Sequence, residues 1–181
     1  TKQIFGFNLT TANNNTLTSN YAYNNTNTGI DLITSNYSVL ASNSAYNNSV
    51  TGIQLRSASR FNTLTGNLAY DNGITGILLD ASDNNTLANN RAFNSRDPPQ
   101  AFGIRLTSAS NNTLTSNYAY NNTDSGIRLD SNSRFNTLST NYAYDNGVTG
   151  ISISSSTNNT LSNNQANNLL STKQILRVNR P

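Results

Sequence analysis

The chain of 181 residues contains no cysteine, histidine, methionine, tryptophan or glutamate. Each absence removes a class of chemistry. Without Cys and His there is no disulfide framework, zinc finger, haem or iron–sulfur ligation, and no Ser–His or Cys–His catalytic pair. Charged residues are only 10% of the chain and the formal net charge is +3. Eleven basic residues, dispersed along the sequence, make a pI near 9.3 a weak pointer to nucleic acid. No apolar run approaches the ~18 residues of a membrane-spanning helix. These absences lead us to expect no nucleic-acid partner, no membrane span and no cofactor.

What the chain has in abundance is asparagine, 36 of 181 residues, with Thr and Ser filling much of the remainder. Hydrophobic residues reach only 34%, a composition close to that of disordered polymers, but the low net charge lacks their self-repulsion. The length suits one domain spanning residues 1–181.

An internal repeat organises the whole sequence. Leu recurs at Leu17, Leu40, Leu64, Leu87, Leu114, Leu138 and Leu161, in steps of 23, 24, 23, 27, 24 and 23. Three residues after each Leu stands an Asn, from Asn20 to Asn164, and two further on an Ala, from Ala22 to Ala166. A Gly-Ile-x-Leu segment follows in most copies, with Gly6-Phe7-Asn8-Leu9 as a partial copy at the start. Ile30/Leu32, Ile53/Leu55 and Ile127/Leu129 alternate with period two, which is strand patterning. One copy has too few apolar residues to hold itself together, but stacked copies form continuous columns. The expectation is an all-β, three-sided parallel β-helix of about seven coils of 23–27 residues. At about 4.8 Å per coil it would be about 34 Å long. Asn then belongs at turns and in amide ladders between coils, and the Gly column is expected at positive φ. A longer period of 74 residues relates Arg60-Phe61-Asn62-Thr63-Leu64 to Arg134-Phe135-Asn136-Thr137-Leu138, the mark of a duplicated three-coil block.

The cadence Asn-Asn-Thr-Leu-Thr-x-Asn-x-Ala-x-x-Asn…Gly-Ile-x-Leu resembles the NosD-like parallel β-helix repeats, from Phe7 to about Val178. The resemblance implies a right-handed β-helix and an address outside the cytoplasm. Such repeats occur in carbohydrate-active enzymes, surface-layer proteins and a periplasmic copper-enzyme accessory factor. The copper role does not carry over, because the chain has no His, Met or Cys.

All eight acids are Asp. Asp71 and Asp145 share a column but lie three coils apart, about 14 Å, beyond the ~9.5 Å limit for paired glycosidase carboxylates. Asp80 and Arg56 are one coil apart, Asp130 follows Arg128 by two, and Arg105 stacks on Arg128. These could form a weak anion or sugar-acid site, but surface charge and ion pairs are the favoured reading, and no catalytic residue is assigned.

Two outward stripes remain. Tyr23, Tyr46, Tyr70, Tyr120 and Tyr144, with Phe93, form an aromatic column that would either bind glycans or only stabilise its sheet. Thr pairs such as Thr16/Thr18 and Thr63/Thr65 resemble an ice-binding face, interrupted at Val39 and Ala41. Nine Asn-x-Ser/Thr sequons are present, of which Asn24, Asn47 and Asn121 share one turn column suited to glycosylation. The start without Met or leader is what a processed secreted chain would show, and an expression fragment equally. The sequence therefore suggests a non-catalytic extracellular or cell-surface structural protein. Its copies would stack head to tail into a fibre, with Ile175 over Ile4, Leu176 over Phe5 and Val178 over Phe7. A carbohydrate-binding module is the alternative, ahead of a polysaccharide-active enzyme or an ice-binding protein.

Overall fold

The computed structural model describes residues 2–96 and 100–167, together with the strand at Arg177–Val178. Each coil contributes one strand to each of three parallel sheets. Sheet A is eight-stranded: β1 (Phe7–Thr10), β4 (Ile30–Ile33), β7 (Thr51–Arg56), β10 (Thr75–Asp80), β13 (Phe102–Thr107), β16 (Ser125–Asp130), β19 (Thr149–Ile153) and β22 (Arg177–Val178). Sheet B contains β2 (Thr16–Thr18), β5 (Val39–Ala41), β8 (Thr63–Thr65), β11 (Thr86–Ala88), β14 (Thr113–Thr115), β17 (Thr137–Ser139) and β20 (Thr160–Ser162). Sheet C contains β3 (Tyr21–Tyr23), β6 (Ser44–Tyr46), β9 (Leu68–Tyr70), β12 (Arg91–Phe93), β15 (Tyr118–Tyr120), β18 (Tyr142–Tyr144) and β21 (Gln165–Asn167). The result is a right-handed parallel β-helix of about seven coils, as the repeat predicts.

The repeat columns become registered neighbours. Leu64 pairs with Leu87 and Leu87 with Leu114 in sheet B, Ala69 with Ala92 in sheet C, and Ile77 with Ile104 in sheet A. Leu40, Leu64, Leu87 and Leu114 are fully buried, as are Ile53, Ile77 and Ile104. Each such side chain contributes about 1.5–3 kcal/mol relative to exposure. That gain is complete only when a coil lies on either side: Leu17, in the first full coil, is the one Leu of its column from Leu17 to Leu138 with measurable exposure.

The corners explain the asparagine. At most corners a residue with left-handed backbone is followed by one whose side chain turns inward. Asn24-Asn25, Asn47-Asn48 and Asn121-Asn122 show the division of labour: the first has φ of 55–59° and the second is buried. The buried amides form ladders. Between sheets B and C, Asn67 Nδ2 donates to Asn90 Oδ1 at 2.9 Å and Asn90 Nδ2 to Asn117 Oδ1 at 3.0 Å. Asn90 Nδ2 also donates to the Leu64 carbonyl at 2.9 Å, while Asn90 Oδ1 accepts the Asn67 backbone N–H at 3.0 Å. Every polar atom of the side chain is satisfied, as a dry interior demands. A second ladder, between sheets C and A, runs Asn48, Asn72, Gln100, Asn122, Asn146. Gln100 lies within the longest coil, of 27 residues, and its longer side chain keeps the ladder unbroken there. A third ladder, between sheets A and B, includes Asn85, Asn112 and Asn136.

The Gly column serves a different purpose from the one expected. Among the described glycines only Gly66 has a left-handed φ, +62°. A Cβ on Gly126 would lie 2.6 Å from Asn146 Nδ2 and 2.7 Å from the Gly150 carbonyl oxygen. Glycine is needed there so that the ladder and the next coil can approach. The left-handed turns fall instead to Asn, Ser, Thr and Asp, and more unusually to Tyr37, Phe61 and Phe135, at φ 57°, 58° and 56°. A bulky residue held there costs of order 1 kcal/mol or more.

The proposed end-to-end register requires correction. Val178 pairs with Ile153, which continues the column of Leu9, Leu32 and Leu129, whereas Phe7 begins the column of Ile30. Val178 is therefore two residues out of step with Phe7. Ile175 and Leu176 lie outside the described residues. Ile4 is exposed, and Phe5 and Phe7 are half-buried.

Asn90→Ala removes the partners of four buried groups, so it should cost about 3 kcal/mol or more. Asn89→Ala, at the exposed left-handed position beside it, should cost about 1 kcal/mol. Urea denaturation of both variants checks this, and equal losses would refute the ladder's role.

Candidate functional site on the outer face of sheet A

Side chains on the outer face of sheet A break the repeat most. One outward column reads Asp31, Gln54, Leu78, Arg105, Arg128, Ser152, and the next Ile33, Arg56, Asp80, Thr107, Asp130. Two ion-paired groups result. In the first, Arg56 grips Asp31 through Nε at 3.1 Å and Nη2 at 2.9 Å, and Asp31 has no solvent exposure. The Asp31 hydrogen bond, opposed by burial and assisted by the Asp31 and Asp80 charges, raises the Arg56 pKa above its ordinary value.

In the second group, Asp130 is held by two guanidiniums. Arg105 donates from Nε at 3.0 Å and Nη2 lies at 2.9 Å, while Arg128 Nε donates at 2.8 Å. Thr107 Oγ1 donates to the other carboxylate oxygen at 2.9 Å. Asp130 is buried beneath them, but both Arg side chains keep about 30% of their surface open. Phe102 supplies a floor: its ring centroid lies 4.9 Å from the Arg105 guanidinium carbon and 5.3 Å from that of Arg128. Asp124 stands at the edge, 3.9 Å from Arg128 Nη1 and 38% exposed. The geometry is a fixed pair of partly open guanidiniums, suited to bind an incoming carboxylate.

The sequence indicated Arg105, Arg128 and Asp130 but missed Asp31, Phe102 and Gln100. Asp31 occupies the x of Gly-Ile-x-Leu, the same position as both arginines, which was a usable signal. Phe102 stands where Thr75 and Ser125 pair with it, so its departure from a small hydroxylated column was also visible.

The aromatic column of sheet C is present as a continuous stack. Successive rings from Tyr23 through Tyr46, Tyr70, Phe93 and Tyr120 to Tyr144 lie 4.8–5.1 Å apart, with planes within 8°. The inner rings therefore use both faces on one another, leaving edges and phenol oxygens outward. Arg91 joins the stack by donating to the Tyr120 hydroxyl at 3.0 Å. Asn24 and Asn121 are exposed and Asn47 half-buried, each at a left-handed corner. Asp71 is tied locally, accepting from the Ser95 N–H at 2.6 Å and lying 3.7 Å from Arg96 Nε.

The fold and site define a parallel β-helix with an ion-paired, guanidinium-bearing face. The chain belongs to the NosD family, described as periplasmic copper-binding protein, which matches residues 1–97 and 47–174. It is accordingly a secreted or periplasmic protein. Among solved structures, it is similar to the periplasmic alginate epimerase AlgG, with TM-score 0.77 and 21% identity over 90% of this chain and 43% of that one. It is also similar to the A-module of the Azotobacter vinelandii mannuronan C-5 epimerase AlgE6, with TM-score 0.75 and 20% identity over 90% of this chain and 54% of that one. The chain thus spans about half the length of these structures. No curated protein sequence matches it.

These findings correct two expectations. A non-catalytic, fibre-forming structural protein was expected, but the similar structures are enzymes and the family is periplasmic. The copper in the family's description needs soft or imidazole donors. His, Cys and Met are absent from the sequence, and no group of three or more acids gathers among the described residues. The donor set does not fit copper.

Burial, reinforced by neighbouring phenols and by Asp71 or Asp145, raises the pKa of Tyr70 and Tyr144. A raised folded-state pKa stabilises below the unfolded value, and that contribution is lost as pH rises through the folded one. Stability should therefore fall above about pH 10, and Tyr70→Phe plus Tyr144→Phe should shift the fall upward. Thermal melts from neutral to strongly alkaline pH would test this, and an identical profile in the variant would refute it.

Proposed function

We propose that the chain processes an acidic polysaccharide, taking a uronate carboxylate at Arg105 and Arg128 on sheet A. The observation that carries this reading is the pair of guanidiniums one coil apart, locked by Asp130 yet partly open. Asp130 fixes their position and Thr107 fixes Asp130, so little ordering remains to be paid on binding. Phe102 backs both groups and limits their motion.

The likeness to alginate and mannuronan epimerases supports the same substrate class. Neutralising a sugar carboxylate acidifies the proton on the adjoining carbon, because charge developing there spreads into the carboxyl group. Arg105 and Arg128 supply that neutralisation. Asp124 is the partly exposed carboxylate beside Arg128, placed to accept the proton and, after exchange with solvent, to return one to the same carbon. The reaction class is proton abstraction next to a carboxylate, outside the cytoplasm.

Oligomannuronate binding measured by calorimetry should fall about tenfold or more, roughly 1.4 kcal/mol, in Arg105→Ala and Arg128→Ala. Incubation with polymannuronate in deuterated water should place deuterium at C-5, and Asp124→Asn should slow it. Absence of both binding and exchange in the intact protein would overturn the reading.

A further inference from the structure

Three aromatic residues at left-handed backbone positions are also among the most exposed large hydrophobic ones of the described residues. Tyr37, Phe61 and Phe135 occupy the left-handed corner between sheets A and B, with 59%, 49% and 56% of their surface open. In the other coils the same corner position is Asn14, Asn84, Asn111 or Asn158, at φ 57–59°. Asn adopts this conformation readily and aromatic residues do not. The aromatic residues thus occupy a disfavoured backbone conformation without being buried, which neither folding nor the core requires.

Their surroundings identify what they suit. Tyr37 and Phe61 stack at 5.1 Å, and no second ring stacks on Phe61 among the described residues. Phe135 lies between the Asn111 and Asn158 corners, and no ring stacks on it among the described residues. Unlike the inner rings of the sheet C column, neither Phe is enclosed by a ring on both sides among the described residues. Each Phe follows an exposed Arg. Arg60 lies 3.3 Å from Asp83 with 47% of its side chain open. Arg134 has no carboxylate within ion-pair distance among the described residues. The Arg134-Phe135 pair follows Asp130 of the sheet A site within the same coil, and Arg60-Phe61 follows Arg56 in the same way.

We propose that Arg60-Phe61 and Arg134-Phe135 form a second contact line for an acidic polysaccharide, each Phe taking a sugar ring and each Arg a carboxylate. The two pairs are three coils apart, about 14 Å, a span that a glycan lying along the helix axis covers with a few sugars. The exposed ring offers an apolar surface to the C–H groups of a sugar, while the guanidinium selects an acidic sugar over a neutral one. This inference rests on the polysaccharide reading of sheet A and extends it to chain length. Arg105 and Arg128 would capture one carboxylate, and the corner would hold the chain beyond it.

The test uses the intact protein, a mannuronate trimer and a mannuronate decamer, with Phe61→Asn plus Phe135→Asn as the variant. The decamer should bind about tenfold more weakly to the variant while trimer binding is unchanged. Because Asn suits the corner, the melting temperature of the variant should hold or rise, which a packing role for the rings would not allow. Arg134→Ala should narrow the preference for the mannuronate decamer over a neutral mannan oligomer of equal length. Unchanged decamer binding in the Phe variant, with Arg105→Ala still losing the trimer, would overturn the corner proposal alone. A drop in melting temperature would also overturn it, by assigning the rings to stability. Failure of the unaltered protein to bind either oligomer would instead overturn the sheet A reading, and the corner proposal with it.

Discussion

The structure depends on the buried amide that bridges one coil to the next. A stack of short parallel strands leaves polar backbone at every corner, where the chain turns away from its sheet and dries out. Water cannot reach these groups, and an unpaired one costs about 1–3 kcal/mol. The amide of Asn67 or Asn117 supplies two donors and an acceptor at the right height to join its own coil to both neighbours. The hydrophobic columns of Leu, Ala and Ile give the stack its driving force, but they are non-directional. The ladders set the register, because an amide bonds well only to the equivalent residue one coil away. Strand, corner and core are therefore all consequences of one spacing, and Gly126 or Gly103 is small for the same reason.

That constraint leaves the outside free. Inward positions repeat almost without exception, whereas outward positions of sheet A run through Asp, Gln, Leu, Arg and Ser. The scaffold tolerates this because an outward side chain contributes little to the ladder beneath it. Charges can then be placed for binding, provided they satisfy one another. Asp130 does so by accepting from Arg105, Arg128 and Thr107 at once. The sheet C rings take another course and satisfy one another by stacking.

Legibility in the sequence follows the same division. The Leu17-to-Leu161 period and the period-two strands determine the coil count, the inward columns and the Asn ladder through Asn67 and Asn90, because core positions must repeat to pack. The ladder through Gln100 was hidden, since a loop of different length changes both the residue and its spacing. The purpose of the Gly column was misread, because close approach and positive φ select the same residue. The site was half legible. Arg105 above Arg128 follows from the period, but the grip of Asp130 on both depends on side-chain reach, which no column count shows. The free or covered state of an aromatic face is equally invisible: Tyr70 and Phe135 look alike in sequence, yet one is stacked on both faces and the other has no stacked ring.

The 74-residue duplication shows how such a site can arise. Asp31 and Arg56 of the first block correspond to Arg105 and Asp130 of the second. The closest Nη2-to-carboxylate contact is 2.9 Å in both, with acid and base exchanged. Exchanging the partners preserves the ion pair and costs the scaffold little, but it reverses which charge faces the solvent column. Gln54 corresponds to Arg128 and Thr28 to Phe102, so the second copy also carries a second guanidinium and an aromatic floor. Arg60-Phe61 and Arg134-Phe135, by contrast, are the same in both blocks. In the first block the carboxylate is sealed under a single Arg. In the second it holds two Arg side chains open toward solvent, and this inversion makes the second copy the one fitted to receive an anion.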